Sequence, residues 1–431
     1  MKVFLDMVGC RLNQAELEQM ARQFRSAGHT LVGQALGADM VVVNTCAVTE
    51  AAASDSRQKI RHAANMGVAE IIATGCWSTL VPQQALALPG VTRVVPNDRK
   101  EALVDEVLGI PAEIFDNEPL ARRPLPGLRR RTRAFIKVQD GCDNRCTFCI
   151  TTVARGAGRS RSIPAVLEDI RLALEGGARE VVLTGVHLGS WGQDLSDGNS
   201  GSHLRELVKV ILADTDVPRL RLSSLEPWDL DEDFFSLWEN PRLMPHLHLP
   251  LQSGSESTLR RMLRKTTPDS FRRLVESARS LIPDVAITTD VIAGFPGETD
   301  EEFSETTDFV REIRFAGGHI FTYSARPGTA AARIKSQVPH EVRKHRNHLL
   351  RDVFIETATD YRKSFLGRSL AVLWEAAAER DEQGWKMEGL TGNYIRVTAV
   401  SPELRWNQID HVKLSSLKGE DVLGVIQQPS V

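Results

Sequence analysis

Over the first hundred residues, short apolar runs alternate with stretches whose apolar positions recur every three or four residues. Segments 3–8, 40–43, 70–73 and 91–95 read as strands, and 14–25 and 50–64 as helices. Such alternation predicts an open parallel sheet with helices on its faces, over residues 1–109. Residues 110–132 break the pattern with four prolines and a glycine among arginines, and read as a linker. From 133 to 367 the alternation resumes, with strands expected at 133–139, 180–183, 219–222, 246–249, 286–291 and 319–323 and a helix at 164–174. Six strands in β-then-α order suggest an incomplete (β/α)6 barrel. From 368 to 431 the strands are short and separated by turns, at 370–375, 385–390, 394–399, 411–414 and 422–426. That is the pattern of a small antiparallel barrel of OB-like type. The fold class is therefore α/β, ending in a β unit.

The six cysteines change the picture. Cys142, Cys146 and Cys149 lie within eight residues, spaced C-x3-C-x2-C. Three thiolates on one loop can hold three irons of a 4Fe-4S cluster and leave the fourth iron open to a substrate. Zinc is a poorer fit, because a structural site wants four closed ligands and the nearest downstream candidate is His187. Redox thiols remain a further reading. Cys10, Cys46 and Cys76 each sit just past the carboxyl end of an expected strand, beside a glycine or threonine. In open α/β sheets that edge is where ligands bind. Singly each would be a small buried hydrophobe; three in equivalent positions argue for a second cluster.

Composition adds little. With 431 residues, 42% hydrophobic and 25% charged, the chain has room for two or three globular domains. No apolar run reaches membrane-span length, and no apolar signal segment follows Met1. Unpaired thiols then suit a reducing cytoplasm better than a disulfide framework. The net charge of −3 does not advertise nucleic-acid binding. Two local runs are nevertheless basic: 121–133, with six arginines, and 343–351. Each is either a solvated face or a phosphate-contacting patch.

The loops after the central strands are rich in polar residues and glycine, and in α/β barrels such loops build the active site. Gln252 and Glu226 are hard to explain as turn residues, unlike the glycines and prolines around them. His246 and His248 share a strand face, where internal packing and hydrogen bonding are favoured over metal binding. Arg155, Arg159 and Arg161 follow the cysteine loop and suit carboxylates or phosphates, or solvent for at least one of them. In the last segment Trp374, Trp385, Tyr394 and Trp406 could stack bases, although core positions are expected for at least two.

Taken in order, these motifs resemble those of the radical S-adenosylmethionine (SAM) methylthiotransferases. The matching stretches are Gly9-Cys10-Arg11-Leu12-Asn13-Gln14, Asn44-Thr45-Cys46-Ala47-Val48-Thr49, Gly75-Cys76 and the loop from Gln139 to Cys149. Further ones are Ala154-Arg155-Gly156, Arg159-Ser160-Arg161, Leu183-Thr184-Gly185, LSSLEP from Leu222, LPLQSG from Leu249 and Gly294-Phe295-Pro296-Gly297-Glu298. NTCAVT at the second cysteine, RLSSLEP and TTDVIAGFPGET are the flavour of the MtaB-type branch. One departure is Thr151-Thr152-Val153, where the family usually has isoleucine–proline.

The resemblance implies an N-terminal methylthiotransferase domain, a radical SAM core and a C-terminal TRAM-like domain. It implies two 4Fe-4S clusters, an auxiliary one on Cys10, Cys46 and Cys76 and a SAM-cleaving one on Cys142, Cys146 and Cys149. Phe148, Gly185, Glu226 and Gln252 become candidates for SAM contact. The implied reaction adds a methylthio group to C2 of N6-threonylcarbamoyladenosine at position 37 of tRNA, using SAM twice. The implied partners are the tRNA anticodon stem-loop and an electron donor such as flavodoxin or ferredoxin. Two sister reactions stay open, on isopentenyladenosine in tRNA and on a ribosomal-protein aspartate. A non-catalytic iron–sulfur RNA-binding protein is the rival from another class.

Overall fold

The computed structural model describes residues 1–109, 132–195, 203–382 and 384–427. The linker expected at 110–132, apart from Thr132, and most of the first arginine-rich run lie outside the described residues.

The N-terminal sheet contains β1 (Lys2–Met7), β2 (Thr30–Val32), β3 (Met40–Thr45), β4 (Glu70–Gly75) and β5 (Val91–Val95). All pairings are parallel and the order is β2-β1-β3-β4-β5. The edge strand β2 was not expected, because three residues carry no readable period. Strand β3 is buried on both faces. Val42 packs with Leu17, Met20 and Phe24 of the helix Arg11–Ser26, while Val41 and Val43 pack with Ala53, Ile60 and Ala63 of the helix Glu50–Asn65. Successive strand residues face opposite ways, so each layer of helix takes alternate valines.

The central part holds β6 (Arg133–Lys137), β7 (Gln139–Asp140), β8 (Arg159–Ser160), β9 (Glu180–Thr184), β10 (Arg219–Leu222), β11 (His246–His248), β12 (Ala286–Ala293) and β13 (Gly317–Thr322). Strands β6, β9 and β10 form one parallel sheet, and β11, β12 and β13 another. Parallel bridges Leu220–Leu243 and Ser224–His248 join them. The six expected strands thus follow one another in an arc, in chain order.

Two of the boundary differences bear on the site. The first strand ends at Lys137, and the chain turns at Gln139–Asp140 to pair antiparallel with β8, which ties off the cysteine loop. Strand β13 begins at Gly317-Gly318, two residues before the start expected at His319. The ring of Phe354 explains the second glycine, because a Cβ on Gly318 would lie 2.4 Å from it. Phe354 belongs to the long helix His340–Lys363, which packs on β12 and β13 and leads into the last unit.

That unit is a closed five-stranded barrel of β14 (Ser369–Asp381), β15 (Gly384–Thr391), β16 (Arg396–Ser401), β17 (Ile409–Lys418) and β18 (Asp421–Ile426). The order is β14-β15-β16-β18-β17, with β16 and β18 parallel and the other pairs antiparallel. This is the arrangement of an OB-like barrel. Trp374 is fully buried in its core beside Val397 and Val412, and Trp385 packs against that core. The sequence predicts a strand starting at Tyr394, but the observed strand starts at Arg396. Tyr394 sits in the turn before β16 with φ of 67°.

Candidate active site

Cys10, Cys46 and Cys76 follow β1, β3 and β4, which are adjacent in the sheet. Two glycines let those strand ends close up. Gly9 has φ of 114°, and a Cβ there would be 2.9 Å from the Cys46 Sγ. Gly75 has φ of 96°, and its Cβ would fall 2.3 Å from the Thr45 carbonyl oxygen. Neither position accepts a side chain without moving a cysteine-bearing segment. Burial pushes the Cys46 thiol up to about 11, and the neighbouring Cys10 and Cys76 sulfurs push the same way. The three distant thiols therefore converge.

Asparagines hold these segments. Asn13 donates to the carbonyls of Val8 (2.7 Å) and Thr45 (3.2 Å), tying the first cysteine's strand to the second's. Asn97 donates to Cys76 Sγ at 3.6 Å and to the Ala154 carbonyl at 2.8 Å.

The second cysteine loop is shaped in the same way. Gly141 has φ of 74°, and a Cβ there would lie 1.9 Å from the Ala157 carbonyl oxygen. The backbone N–H of Asn144 donates to Cys142 Sγ and that of Thr151 to Cys149 Sγ, both at 3.4 Å. The Arg264 guanidinium reaches Cys146 Sγ at 3.8 Å. Each sulfur thus has its own donor. At the unusual Thr151-Thr152-Val153, the Thr152 hydroxyl donates to the Asn144 carbonyl at 3.3 Å, and a short helix runs Thr151–Arg155.

His187, remote in sequence, lies against this loop. Its Nε2 is 2.6 Å from Asp229 and its Nδ1 is 3.3 Å from the Asn144 amide. Burial would lower its pKa, but Asp229 and Cys142 outweigh burial and raise it to about 10. Among the described residues no three His, Cys, Asp or Glu side chains gather tightly enough for a single metal ion. A cubic cluster instead takes its thiolates at iron corners spread over a larger body, and the loop of Cys142, Cys146 and Cys149, with one donor per sulfur, fits it.

The two cysteine sites are joined by buried charge. Glu16, two per cent exposed at its side chain, faces Lys100 at 2.8 Å, Arg155 at 2.9 Å and Lys137 at 3.9 Å. Arg155 also binds Asp140 at 2.8 Å and Asn13 at 2.9 Å, and Asn44 donates to Glu16 at 3.1 Å. Burial pushes the Glu16 carboxyl up, yet Lys100, Arg155 and Lys137 outweigh it and hold it well below the usual range. Asn13 follows Cys10, Asn44 precedes Cys46, and Asp140 precedes Cys142. One ionic cluster thus fixes both cysteine sites in a common frame.

Of the candidate SAM contacts, Phe148 packs edge-on against Phe295, with centroids 6.5 Å apart. Gly185 lies on Gln139, whose side-chain oxygen accepts from the N–H groups of Val186 (3.0 Å) and His187 (2.8 Å). Glu226 binds Arg264 at 2.6 Å, so it reaches the cysteine loop through that arginine. Gln252 is half-buried with φ of 72°, an unusual backbone for a residue with a side chain. Arg264 itself was missed, since nothing marks it out in its polar run.

A cavity of about 750 Å³ opens between the three units. Cys10 and Cys46 line it from the sheet, Gly185, Ser223, His246 and His248 from the central strands, and Tyr394 from the terminal barrel. The loops after β9 and β10 serve both places: Thr184 and Ser223 line the cavity, while His187 and Glu226, three residues on, face the second cysteine loop. His246 and His248 both meet the Thr288 hydroxyl, at 2.9 and 3.0 Å, which fits packing rather than metal binding. His246 also stacks on Tyr394 with centroids 4.3 Å apart.

The other basic residues divide into buried and outward-facing ones. Arg346 is buried on Glu298 and Asp300, at 2.6 Å each, and Arg161 pairs with Asp169 at 2.5 Å. Arg159 is half exposed beside Asp140, at 3.8 Å. Lys344, His345, His348 and Arg351 of the second basic run face outwards. No described helix is long and apolar enough to cross a membrane.

Comparison with known proteins matches the described folds. Residues 136–310 match the model of the Radical SAM superfamily, and 2–96 that of Uncharacterized protein family UPF0004. The chain is 39% identical over 432 residues to the threonylcarbamoyladenosine tRNA methylthiotransferase MtaB of Thermotoga maritima, covering 98% of this chain and 96% of that one. It is 35% identical to the enzyme of the same name from Bacillus subtilis, covering 94% and 92%. A tRNA-2-methylthio-N(6)-dimethylallyladenosine synthase of Oceanobacillus iheyensis is 31% identical, covering 100% and 85%. Among solved structures, the radical SAM methyltransferase TsrM of Kitasatospora setae is similar in fold, with TM-score 0.55 and 16% identity over 74% of this chain and 72% of that one.

Proposed function

This chain belongs to the radical SAM methylthiotransferase family, and from that premise we propose that it adds a methylthio group to C2 of N6-threonylcarbamoyladenosine at position 37 of tRNA. The observation that carries the reading is the cavity between the three units, walled by Cys10 and Cys46 and shared by the loops that touch the second cysteine site. A base held there would have a sulfur source on one side and a radical source beyond the other.

The family's cofactors are a 4Fe-4S cluster and SAM. We assign an auxiliary cluster to Cys10, Cys46 and Cys76 and a SAM-cleaving one to Cys142, Cys146 and Cys149, within units spanning 1–109, 133–367 and 368–431. Bound there, the two clusters and two molecules of SAM supply electrons, a carbon radical for the C2 hydrogen, and the methylated sulfur. The chain's residues do the rest. N–H groups of Asn144 and Thr151, with Arg264, steady the second set of sulfurs. Phe148, Gly185, Glu226 and Gln252 stand as the walls for SAM, with Arg264 fixing Glu226. The Glu16 cluster holds the two centres at a set separation. An aromatic C–H offers no acidic proton for a base, so these residues need to position and exclude rather than to titrate.

The substrate enters as a splayed base from the anticodon stem-loop, with the terminal barrel and the outward basic residues meeting its backbone. The electron donor is a carrier such as flavodoxin or ferredoxin, and the setting is the cytoplasm.

Comparing tRNA nucleosides from cells with and without the gene tests the reaction. The 2-methylthio derivative of threonylcarbamoyladenosine should vanish on deletion; an unchanged nucleoside profile would overturn the assignment. In purified protein, Cys10→Ala, Cys46→Ala or Cys76→Ala should each lower bound iron to about half while SAM is still cleaved. Cys142→Ala, Cys146→Ala or Cys149→Ala should abolish cleavage, and equal iron in all six variants would refute the division into two clusters.

A further inference from the structure

Where the sheet, the central strands and the terminal barrel meet, three guanidiniums surround Tyr394. Arg221 lies under its ring, with Cζ 4.9 Å from the centroid, and Arg11 lies 5.8 Å from the same centroid. Arg11 Nη2 also donates to the Tyr394 hydroxyl at 2.6 Å. Arg133 is the third, and Arg219 lies next to Arg221 on Glu180. Among the described residues two carboxylates share the group: Glu180, which binds Arg219 and Arg221 at 2.9 Å each, and Glu375, which binds Arg133 at 2.5 Å. Among the described residues Arg11 pairs with no carboxylate. Of the four arginines, it alone lines the cavity.

Surplus positive charge at a half-buried cavity wall favours an anion there. A guanidinium already oriented by a phenol, with its fork partly free, suits a carboxylate or a phosphate. Both aspartates of the wall are engaged elsewhere. Asp290 faces His248 at 3.3 Å, and Asp421 faces Arg396 at 3.8 Å.

We propose that Arg11, braced by the Tyr394 hydroxyl, receives the carboxylate of the threonylcarbamoyl group and so selects that base over an unmodified or isopentenylated adenosine. The inference rests on the reaction proposed above. It makes Arg11 a specificity-determining residue, anchoring the substituent one residue from Cys10. An isopentenyl chain carries no charge and would leave the guanidinium uncompensated.

The test measures binding of anticodon stem-loops to the reconstituted protein. With the wild type, a loop carrying threonylcarbamoyladenosine should bind at least about tenfold tighter than the same loop with plain adenosine or with the methyl ester of the threonyl group. In Arg11→Gln the preference should disappear while the plain loop's affinity stays within about twofold. An equal loss on both loops would overturn the proposal and assign Arg11 to a backbone phosphate. A preference that survives in Arg11→Gln would also overturn it, as would an ester that binds wild type like the acid. The ester comparison needs no variant, so it decides the matter even if Arg11→Gln loses iron. Turnover of the isopentenylated loop alone by wild type would instead sink the reaction assignment itself.

Discussion

Replacing Glu16 by glutamine tests the claim that buried charge holds the N-terminal sheet against the central strands. Glu16, Lys100 and Arg155 are each two per cent exposed at their side chains. At an effective dielectric of about 20, each contact of 2.8–2.9 Å is worth roughly 6 kcal/mol before desolvation. Desolvating the three groups consumes much of that. What remains on substitution is the asymmetry: Lys100, Arg155 and Lys137 stay buried, with Asp140 and the 65%-exposed Glu101 as their remaining carboxylates. Removing one partner from a buried ionic set costs about 3–5 kcal/mol. The loss should appear as faster hydrogen exchange at Val41, Val42 and Val43, whose strand depends on this junction. A second substitution, Lys100→Met, should recover at least about 1 kcal/mol in a double-mutant cycle. By contrast Glu256→Gln, which breaks an exposed pair with Arg260, should cost under about 0.5 kcal/mol. If Glu16→Gln costs less than about 1 kcal/mol, the junction is held by packing and the ionic argument is wrong.

Gly75→Ala should destabilise the protein by more than about 2 kcal/mol in urea unfolding and lower its iron content, because the added carbon meets the Thr45 backbone at 2.3 Å. Gly67→Ala, at φ of 78° with nothing within 4 Å, should cost only about 1 kcal/mol; equal costs would show that the close approach at Gly75 is relieved easily. The Glu16 carboxyl is held below its unfolded value, so its contribution is complete above the ordinary carboxylate value of about 4.3 and is lost as pH falls through the lower native value. Stability of wild type should therefore fall more steeply with acid than that of Glu16→Gln, and parallel pH profiles would contradict this.

What the sequence revealed depended on distance along the chain. Strands β3 and β4, buried on both faces, showed as continuous apolar runs, and the placement of Cys10, Cys46 and Cys76 after strands was readable because it is local. Their convergence needed the strand order, which a parallel sheet made plausible. The Glu16 cluster was invisible: its partners lie 84 and 139 residues away, and a polar residue on an amphipathic helix reads as solvated. Arg264 was hidden for the same reason, 118 residues from Cys146. Tyr394 was noticed as an aromatic for stacking, yet its partner is His246 of the central strands, a contact fixed by how the barrel docks.

That docking gives the terminal barrel a consequence for protein engineering. Its turn supplies Tyr394, and the carbonyls of Leu390, Thr391 and Gly392 accept from Arg219 and Arg221. A chimera that takes this barrel from a relative would import part of the pocket wall along with any affinity for RNA. Grafts of the last unit should therefore shift which adenosine is accepted unless the Tyr394 turn is kept from the parent.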